Sequence, residues 1–106
     1  MIVHLSGEFL PAGEARVSVW DGGFMYGDGV YTTLRLYGGV PLDLAAHWDR
    51  LRRHTRALDL PLPVDEPALR SIVAELVTRN RRQDRDSRLR ITLSRGGDPA
   101  TPMPLG

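Results

Sequence analysis

The sequence predicts an α+β fold, a small domain in which an antiparallel sheet, made of a β-meander and a β-hairpin, is covered by two helices on one face. Three observations lead to this prediction. A β-branched and aromatic run ends at a Gly-Gly pair, two later segments carry apolar residues at helical spacing, and residues 88–94 alternate between apolar and polar side chains. The length of 106 residues is typical of one domain.

Strand signals dominate the N-terminal third of the chain. Residues 1–5 and 15–20 are rich in β-prone side chains, and they predict the strands of the meander. A glycine-rich segment, residues 22–29, follows, and we call it the glycine segment. Residues 30–37 then form the strongest strand pattern in the sequence. Gly38-Gly39 before Val40 predicts a tight hairpin turn, because both glycines can adopt a positive φ.

Two helices are predicted from apolar residues spaced three and four positions apart. The first begins after Asp43, the expected N-cap, and its apolar face comprises Leu44, Trp48, Leu51, Thr55 and Leu58. The second begins near Asp65, with Pro67 in its first turn, and its apolar face comprises Leu69, Ile72, Val73, Leu76 and Val77. The final strand pattern places Leu89, Ile91 and Leu93 on its inner side.

The composition excludes several kinds of chemistry. All fourteen basic residues are arginines, and the chain has neither lysine nor cysteine. Arginine stays protonated, so no side-chain amine of this chain can act as a nucleophile, and thiolate catalysis and disulfides are excluded as well. No metal site is predicted, because His4 and His54 have no ligand partners at suitable spacing. No signal peptide or membrane-spanning run is seen, and we expect a cytoplasmic protein without a membrane partner.

Arg50 is the first candidate functional residue. His47, Arg50 and Leu51 share one side of the first predicted helix, so the guanidinium lies at the edge of the buried face. A guanidinium in this position can hold a phosphate or a carboxylate through two N–H groups. Alternatively, the stem packs on the core and the head reaches water, which is the interpretation that spacing alone favours.

Three further features have a structural interpretation beside a functional one. Gly27-Asp28-Gly29 could cradle a phosphate, but it lacks a following Gly-Lys and carries a carboxylate, so a sharp bend that allows close backbone approach is favoured. The arginines of residues 79–90 could contact nucleic acid, but two aspartates interleave them and no aromatic side chain follows Trp48. A solvated helix end and no nucleic-acid partner are therefore expected. Among Tyr26, Tyr31 and Tyr37, at least one is expected in the core.

Residues 17–60, VSVWDGGFMYGDGVYTTLRLYGGVPLDLAAHWDRLRRHTRALDL, resemble the N-terminal domain of the class IV aminotransferases. These are pyridoxal-phosphate enzymes of fold type IV, and they include branched-chain and D-amino-acid transaminases and 4-amino-4-deoxychorismate lyase. The likeness consists of the aspartate-led glycine turn, the YGDGVY motif, a Thr-Leu-Arg strand, a glycine hairpin and a helix with HWDRL. It extends over residues 1 to about 97.

The resemblance implies pyridoxal 5'-phosphate as the cofactor and gives roles to three residues. Arg50 falls where the family places the arginine that binds the cofactor phosphate. Tyr31 falls where an aromatic residue lines the active-site cleft, and Tyr26 where related transaminases contribute an aromatic residue, in some cases to the partner subunit's site. The implied partners are a small amino-acid or aminodeoxychorismate-like substrate and a second copy in a homodimer. The glycines would then bend the backbone so that these side chains converge on the cofactor.

The likeness also has departures that bear on function. Thr32-Thr33, where many transaminases carry an acidic residue, and the SRGG sequence of residues 94–97 favour a lyase, with the two kinds of transaminase as alternatives. D-amino-acid transaminases place an arginine and a histidine just after this tail, where this sequence has Asp98, Ala100 and Pro102.

The family resemblance also implies a domain organisation. Family members are more than twice this length and carry their cofactor-binding lysine in a second domain. We therefore expect residues 1–97 to form the small N-terminal domain and residues 98–106 to begin an interdomain linker, with the C-terminal domain absent. The isolated chain should then be inactive, because the proton transfer on which transamination and elimination depend needs that lysine. A non-catalytic domain that binds an anion or a partner is the remaining alternative.

Overall fold

The computed structural model describes residues 1–97, and it has the predicted α+β fold. The predicted linker, residues 98–106, lies outside the described residues. The elements in chain order are β1 (Ile2–Leu5), β2 (Glu8–Pro11), a 3-10 turn (Ala12–Glu14), α1 (Gly22–Tyr26), β3 (Gly29–Tyr37), β4 (Val40–Pro41), α2 (Leu44–Ala57), α3 (Glu66–Arg79) and β5 (Ser87–Ser94). No helix in this part of the chain is long and apolar enough to cross a membrane.

The strands form two antiparallel sheets. β1 and β2 make a two-stranded hairpin, and β3 is the central strand of a three-stranded sheet in the order β4-β3-β5. β5 pairs with β3 along eight positions, from Gly29 opposite Ser94 to Leu36 opposite Ser87. β4 pairs only with the last two residues of β3. Among the described strands, residues 29–35 of β3 therefore have a partner on one edge alone.

The core forms on one face of β3, because successive side chains of a strand point to opposite sides. Thr32, Leu34 and Leu36 are buried on the face that the helices cover, whereas their neighbours in β3 are exposed. The predicted helix faces are confirmed at the residues that are buried there, namely Leu44, Trp48, Leu51 and Thr55 of α2 and Leu69, Val73 and Val77 of α3. Leu58, which follows α2, is instead 42% exposed.

The predicted strand at residues 15–20 is wrong, since this segment has no strand partner among the described residues. The turn at Ser6 and Gly7, with φ values of 50° and 90°, reverses the chain at once. Leu5 therefore pairs with Glu8, and β2 begins earlier than predicted. The N-terminal part is a hairpin rather than a meander.

The local signals around β3 are confirmed with two additions. The Gly38-Gly39 turn has the expected positive φ values, 55° and 80°, and joins β3 to β4. The glycine segment before β3 contains the short helix α1, whose first turn is capped by the Asp21 side chain, which accepts a hydrogen bond from the backbone N–H of Phe24 at 3.2 Å. Gly27, with a φ of 66°, ends this helix.

Asp43 precedes α2 as predicted, but its side chain makes no capping hydrogen bond. Its φ of 54° and ψ of 38° are left-handed, whereas a capping side chain reaches the first turn from an extended backbone. Asp65 has such a backbone and accepts a hydrogen bond from the backbone N–H of Ala68 at 2.9 Å. The N-cap of α3 is therefore formed, and that of α2 is not.

Candidate cofactor-binding site

The guanidinium of Arg50 meets the buried face of β3. Its Nη2 atom donates a hydrogen bond to Oγ1 of Thr32 and lies 3.4 Å from Nδ1 of His47. The Thr32 oxygen is itself 2.7 Å from His47 Nδ1, so the three side chains form one cluster between α2 and β3. The predicted position of Arg50 at the border of the core is confirmed, and the residue is exposed.

Arg50 has only neutral partners among the described residues. The ion pairs within residues 1–97 join Arg70 to Glu66, Arg79 to Glu75 and Arg95 to Asp28, and none of them involves Arg50. A guanidinium has five N–H donors and no acceptor, so most of its donors remain available to a ligand. The side chain therefore fits a phosphate group, which it can hold through two parallel hydrogen bonds.

Tyr31 lies at the same end of β3 but on the opposite face, so the expected convergence of Tyr31 and Arg50 on one side of the sheet is not observed within residues 1–97. It precedes Thr32, and its side chain is 60% exposed on the side of the sheet that neither long helix covers. The guanidinium of Arg90, from β5, stacks over its ring at 4.3 Å. The strand register also places Arg35 directly opposite Arg88. Tyr31 is therefore bordered by Arg90 of β5, with Arg35 and Arg88 farther along the same face.

Tyr26 and Tyr37 are exposed as well. Tyr26 is the last residue of α1 and is 52% exposed, and Tyr37 at the end of β3 is 48% exposed. The expectation that at least one tyrosine packs in the core is wrong. The reason is the strand period, since odd-numbered residues of β3 point away from both long helices.

The arginines of residues 79–90 do not form a single helix end. Arg79 closes α3, where it pairs with Glu75 and stacks over the ring of Phe9 at 4.6 Å. Arg82 donates to the side chain of Ser87 and to a backbone carbonyl oxygen. Arg88 and Arg90 belong to β5 and face the side of Tyr31. Sequence analysis missed them as site residues because their neighbours are fixed by long-range strand pairing.

Arg95 is a further residue whose contacts sequence analysis missed. Its guanidinium pairs with Asp28 and donates to the backbone carbonyl oxygens of Leu58, at 2.6 Å, and Asp59, at 3.4 Å. The hydrogen bond to Asp28 and the negative charges of Asp28 and Asp59 raise the pKa of Arg95, although partial burial acts in the opposite direction. Through its ion pair and these backbone hydrogen bonds, Arg95 connects the glycine segment to the end of α2.

The glycine segment is also fastened to the end of β5. Ser94 donates from its hydroxyl to Asp21 at 2.7 Å, and the backbone N–H of Gly22 donates to the carbonyl oxygen of Gly96 at 2.8 Å. A Cβ atom at Gly29 would lie 2.7 Å from the carbonyl oxygen of Leu93. The favoured interpretation of the segment, a bend that allows close backbone approach, is confirmed here.

An open pocket of about 400 Å³ lies beside the unpaired edge of β3. Its lining includes His47 from the Arg50 cluster, together with Arg35 and Arg88 from the exposed face and Asp43 from the start of α2. Within the described part of the chain, no group of three acidic, histidine or cysteine residues could hold a metal ion.

Comparisons with known proteins identify relatives of this chain. The family model for amino-transferase class IV matches residues 29–105. The chain is 32% identical to the aminodeoxychorismate lyase of Bacillus subtilis over 95 residues, which is 90% of the chain and 32% of that protein. It is 34% identical to the D-alanine aminotransferase of Bacillus licheniformis over 99 residues, which is 93% of the chain and 34% of that protein.

A solved structure is similar over the same region. A hypothetical aminotransferase from Mycobacterium tuberculosis, in its PLP-bound form, superposes with a TM-score of 0.78 and 34% identity, covering 95% of this chain and 36% of that one. The chain spans about a third of the length of the curated relatives that it matches. The matched motifs, the fold and the extent of the family model together show that this chain belongs to the class IV amino-transferase family.

Proposed function

We propose that this chain supplies the phosphate-binding arginine and part of the substrate cleft of a pyridoxal 5'-phosphate enzyme that acts on amino-acid-like substrates. The observation that carries the proposal is the guanidinium of Arg50, which is held by a neutral hydroxyl and paired with no carboxylate among residues 1–97. When bound, the cofactor acts as an electron sink for the carbon that loses a substituent.

The residues of this chain would bind and orient rather than react. Arg50 would hold the cofactor phosphate, and because the chain has no lysine, attachment of the cofactor to a lysine side chain needs a residue from outside this chain. We therefore propose that a second domain supplies the cofactor-binding lysine and that the chain alone is inactive. We also propose that the complete protein assembles as a homodimer. The cytoplasmic location stays a prediction.

The exposed face of β3 and β5 is the proposed substrate side. An amino-acid-like substrate carries at least one carboxylate, and Arg90 lies against Tyr31 with Arg35 and Arg88 farther along the same face. A guanidinium recognises a carboxylate through paired hydrogen bonds, and a tyrosine ring limits the position of the substrate beside it. Tyr26, exposed at the end of α1, would contribute a further aromatic surface.

The finer proposal is a 4-amino-4-deoxychorismate lyase, and it rests on Thr32-Thr33 and residues 94–97. Branched-chain and D-amino-acid transaminases are the alternatives. A transaminase needs a 2-oxo acid to accept the amino group, whereas an elimination does not. Repeated turnover of the amino substrate without any 2-oxo acid, measured with a longer protein that carries this chain, would support the lyase. A single turnover per active site would favour a transaminase.

The role of Arg50 can be tested in the chain itself. Pyridoxine 5'-phosphate is a suitable probe, because it lacks the aldehyde and cannot form an imine with the N-terminal amine. We expect Arg50→Ala to weaken its binding at least about tenfold, since a charge-assisted hydrogen bond contributes roughly 1.5–3 kcal/mol. Arg53→Ala is the matched control, because Arg53 is exposed on the same helix and should leave the affinity unchanged. Binding can be measured by calorimetry or by NMR titration.

Two outcomes would contradict this proposal. Equal affinity of the Arg50→Ala and Arg53→Ala variants would show that Arg50 does not bind the phosphate. Equal affinity of the chain for pyridoxine 5'-phosphate and inorganic phosphate would instead favour a general anion-binding domain.

A further inference from the structure

Thr32 combines a polar side chain with nearly complete burial. The residue is 1% exposed and lies on the core side of β3, between Val30 and Leu34. Its hydroxyl oxygen accepts a hydrogen bond from Arg50 and lies 2.7 Å from Nδ1 of His47. A buried hydroxyl must also place its own proton on an acceptor, because an unsatisfied donor in the core is costly.

The position of this proton follows from the available partners. Arg50 can only donate, so it cannot receive the hydroxyl proton of Thr32. Within residues 1–97, His47 Nδ1 is the side-chain acceptor that the Thr32 oxygen contacts. His47 Nδ1 must then be unprotonated, and the neutral imidazole carries its proton on Nε2. If Nδ1 were the donor, the hydroxyl proton would have no side-chain acceptor within residues 1–97.

We propose that Thr32 and His47 are positioning residues that hold Arg50 ready for an anion without neutralising it. The chain of hydrogen bonds runs from Arg50 to the Thr32 oxygen and from the Thr32 hydroxyl to His47 Nδ1. A carboxylate in place of Thr32 would also orient the guanidinium, but it would compete with a bound anion for its charge and its donors. This inference rests on the proposed function, in which Arg50 binds a phosphate.

The expected benefit is pre-organisation. An arginine side chain loses much rotamer freedom when it binds a ligand, and a side chain that is already held loses less on binding. Removing the hydroxyl should therefore weaken phosphate binding about three- to tenfold, which corresponds to the cost of ordering one flexible side chain. The loss should be smaller than that caused by Arg50→Ala.

The first part of the test reads the tautomer of His47 by NMR. The chain has three histidines, so its imidazole ¹⁵N signals can be assigned individually. At pH 8, we expect the wild-type chain to show a His47 Nδ1 that is unprotonated. Thr32→Val should shift His47 toward a mixture of tautomers, and Thr32→Ser, which keeps the hydroxyl, should restore the wild-type signals.

The second part measures binding of inorganic phosphate by following the Arg50 side-chain signals. Thr32→Val should lower the affinity, and Thr32→Ser should not. A second pair addresses the case in which Thr32→Val fails to fold. His47→Leu removes the acceptor and should lower the affinity, whereas His47→Asn places an amide oxygen near the position of Nδ1 and should retain it. Circular dichroism confirms that each variant is folded.

The outcomes separate this inference from the function on which it rests. Unchanged phosphate affinity in Thr32→Val, or in a folded His47→Leu if the first variant unfolds, overturns the positioning role. A wild-type His47 that is protonated on Nδ1 at pH 8 overturns the hydrogen-bond order. A wild-type chain in which Arg50 does not respond to phosphate contradicts the proposed role of Arg50. In that case the His47 tautomer in the Thr32 variants still shows whether the hydrogen bond from Thr32 to His47 exists.

Discussion

Gly29, at the first position of β3, shows how a single missing side chain shapes this domain. A Cβ atom there would lie 2.7 Å from the backbone oxygen of Leu93 and 3.3 Å from Cα of Ser94. We expect Gly29→Ala to lower the free energy of unfolding by about 1–3 kcal/mol, the usual cost of overpacking. Urea unfolding measures this change.

Gly13 provides the control for this prediction. It lies in the 3-10 turn, and a Cβ atom there would contact nothing within 4 Å. Gly13→Ala should therefore change the stability little. Equal effects of the two substitutions would show that the close approach at Gly29 contributes nothing.

Arg90 gives the prediction at residue scale that concerns activity. Its contact with the ring of Tyr31 places a cation beside the proposed substrate cleft. In a complete enzyme that carries this chain, Arg90→Gln should raise KM for a carboxylate substrate about tenfold, because it removes a charge-assisted hydrogen bond, and kcat should change less. Arg85→Gln, an exposed substitution before β5, should leave both constants unchanged. A fall in kcat alone would contradict a role in substrate binding.

The candidate site was only partly predictable from single residues. The position of Arg50 at the core edge follows from helical spacing. Its proposed binding of the cofactor phosphate and the proposed place of Tyr31 in the active-site cleft came from the family motifs. Arg90 could not be found in this way, because Tyr31 and Arg90 are neighbours only through the pairing of β3 with β5. The partners of Arg50 in β3 and of Arg95 in the glycine segment likewise depend on contacts between distant parts of the chain.

The two long helices differ in how their N-terminal ends are satisfied. Asp65 caps α3 through its side chain, whereas Asp43 precedes α2 in a left-handed conformation without a side-chain cap. We expect Asp65→Ala to lower the free energy of unfolding by about 1 kcal/mol, the usual effect of losing an N-cap. Asp43→Gly should be neutral or stabilising, because glycine adopts a positive φ without strain. Thermal and urea unfolding measure both variants, and a larger loss for Asp43→Gly would contradict this assignment.

At the scale of elements, the long periodic patterns were predicted, whereas the short elements β2 and α1 were missed. α2 and α3 each span 14 residues, enough for several repeats of an apolar face. β2 has only four residues and includes Pro11, so its pattern carries little information. The alternation of residues 15–20 was misleading because Val17 and Val19 are exposed, at 65% and 64%, instead of packing beneath a sheet. An alternating pattern does not form a strand without a partner.

At the scale of the whole molecule, one stretch of surface is unusually apolar. We call it the apolar segment, residues 17–26, and six of its large side chains are exposed by 45–70%, namely Val17, Val19, Trp20, Phe24, Met25 and Tyr26. Apolar surface of this kind marks an interaction site in most soluble proteins. Gly97, the last described residue, lies against the backbone of Trp20. The apolar segment therefore contacts the residues that follow β5.

This surface leads to a prediction about association. The isolated chain should self-associate as its concentration rises, because water contact with the apolar segment is unfavourable. Phe24→Ser should weaken this association without lowering the free energy of unfolding, since Phe24 is 70% exposed. Val40→Ser is the matched control, because Val40 is 66% exposed but lies in β4, outside the apolar segment. Sedimentation velocity over a range of concentrations measures the association, and equal behaviour of the two variants would show that the apolar segment does not drive it.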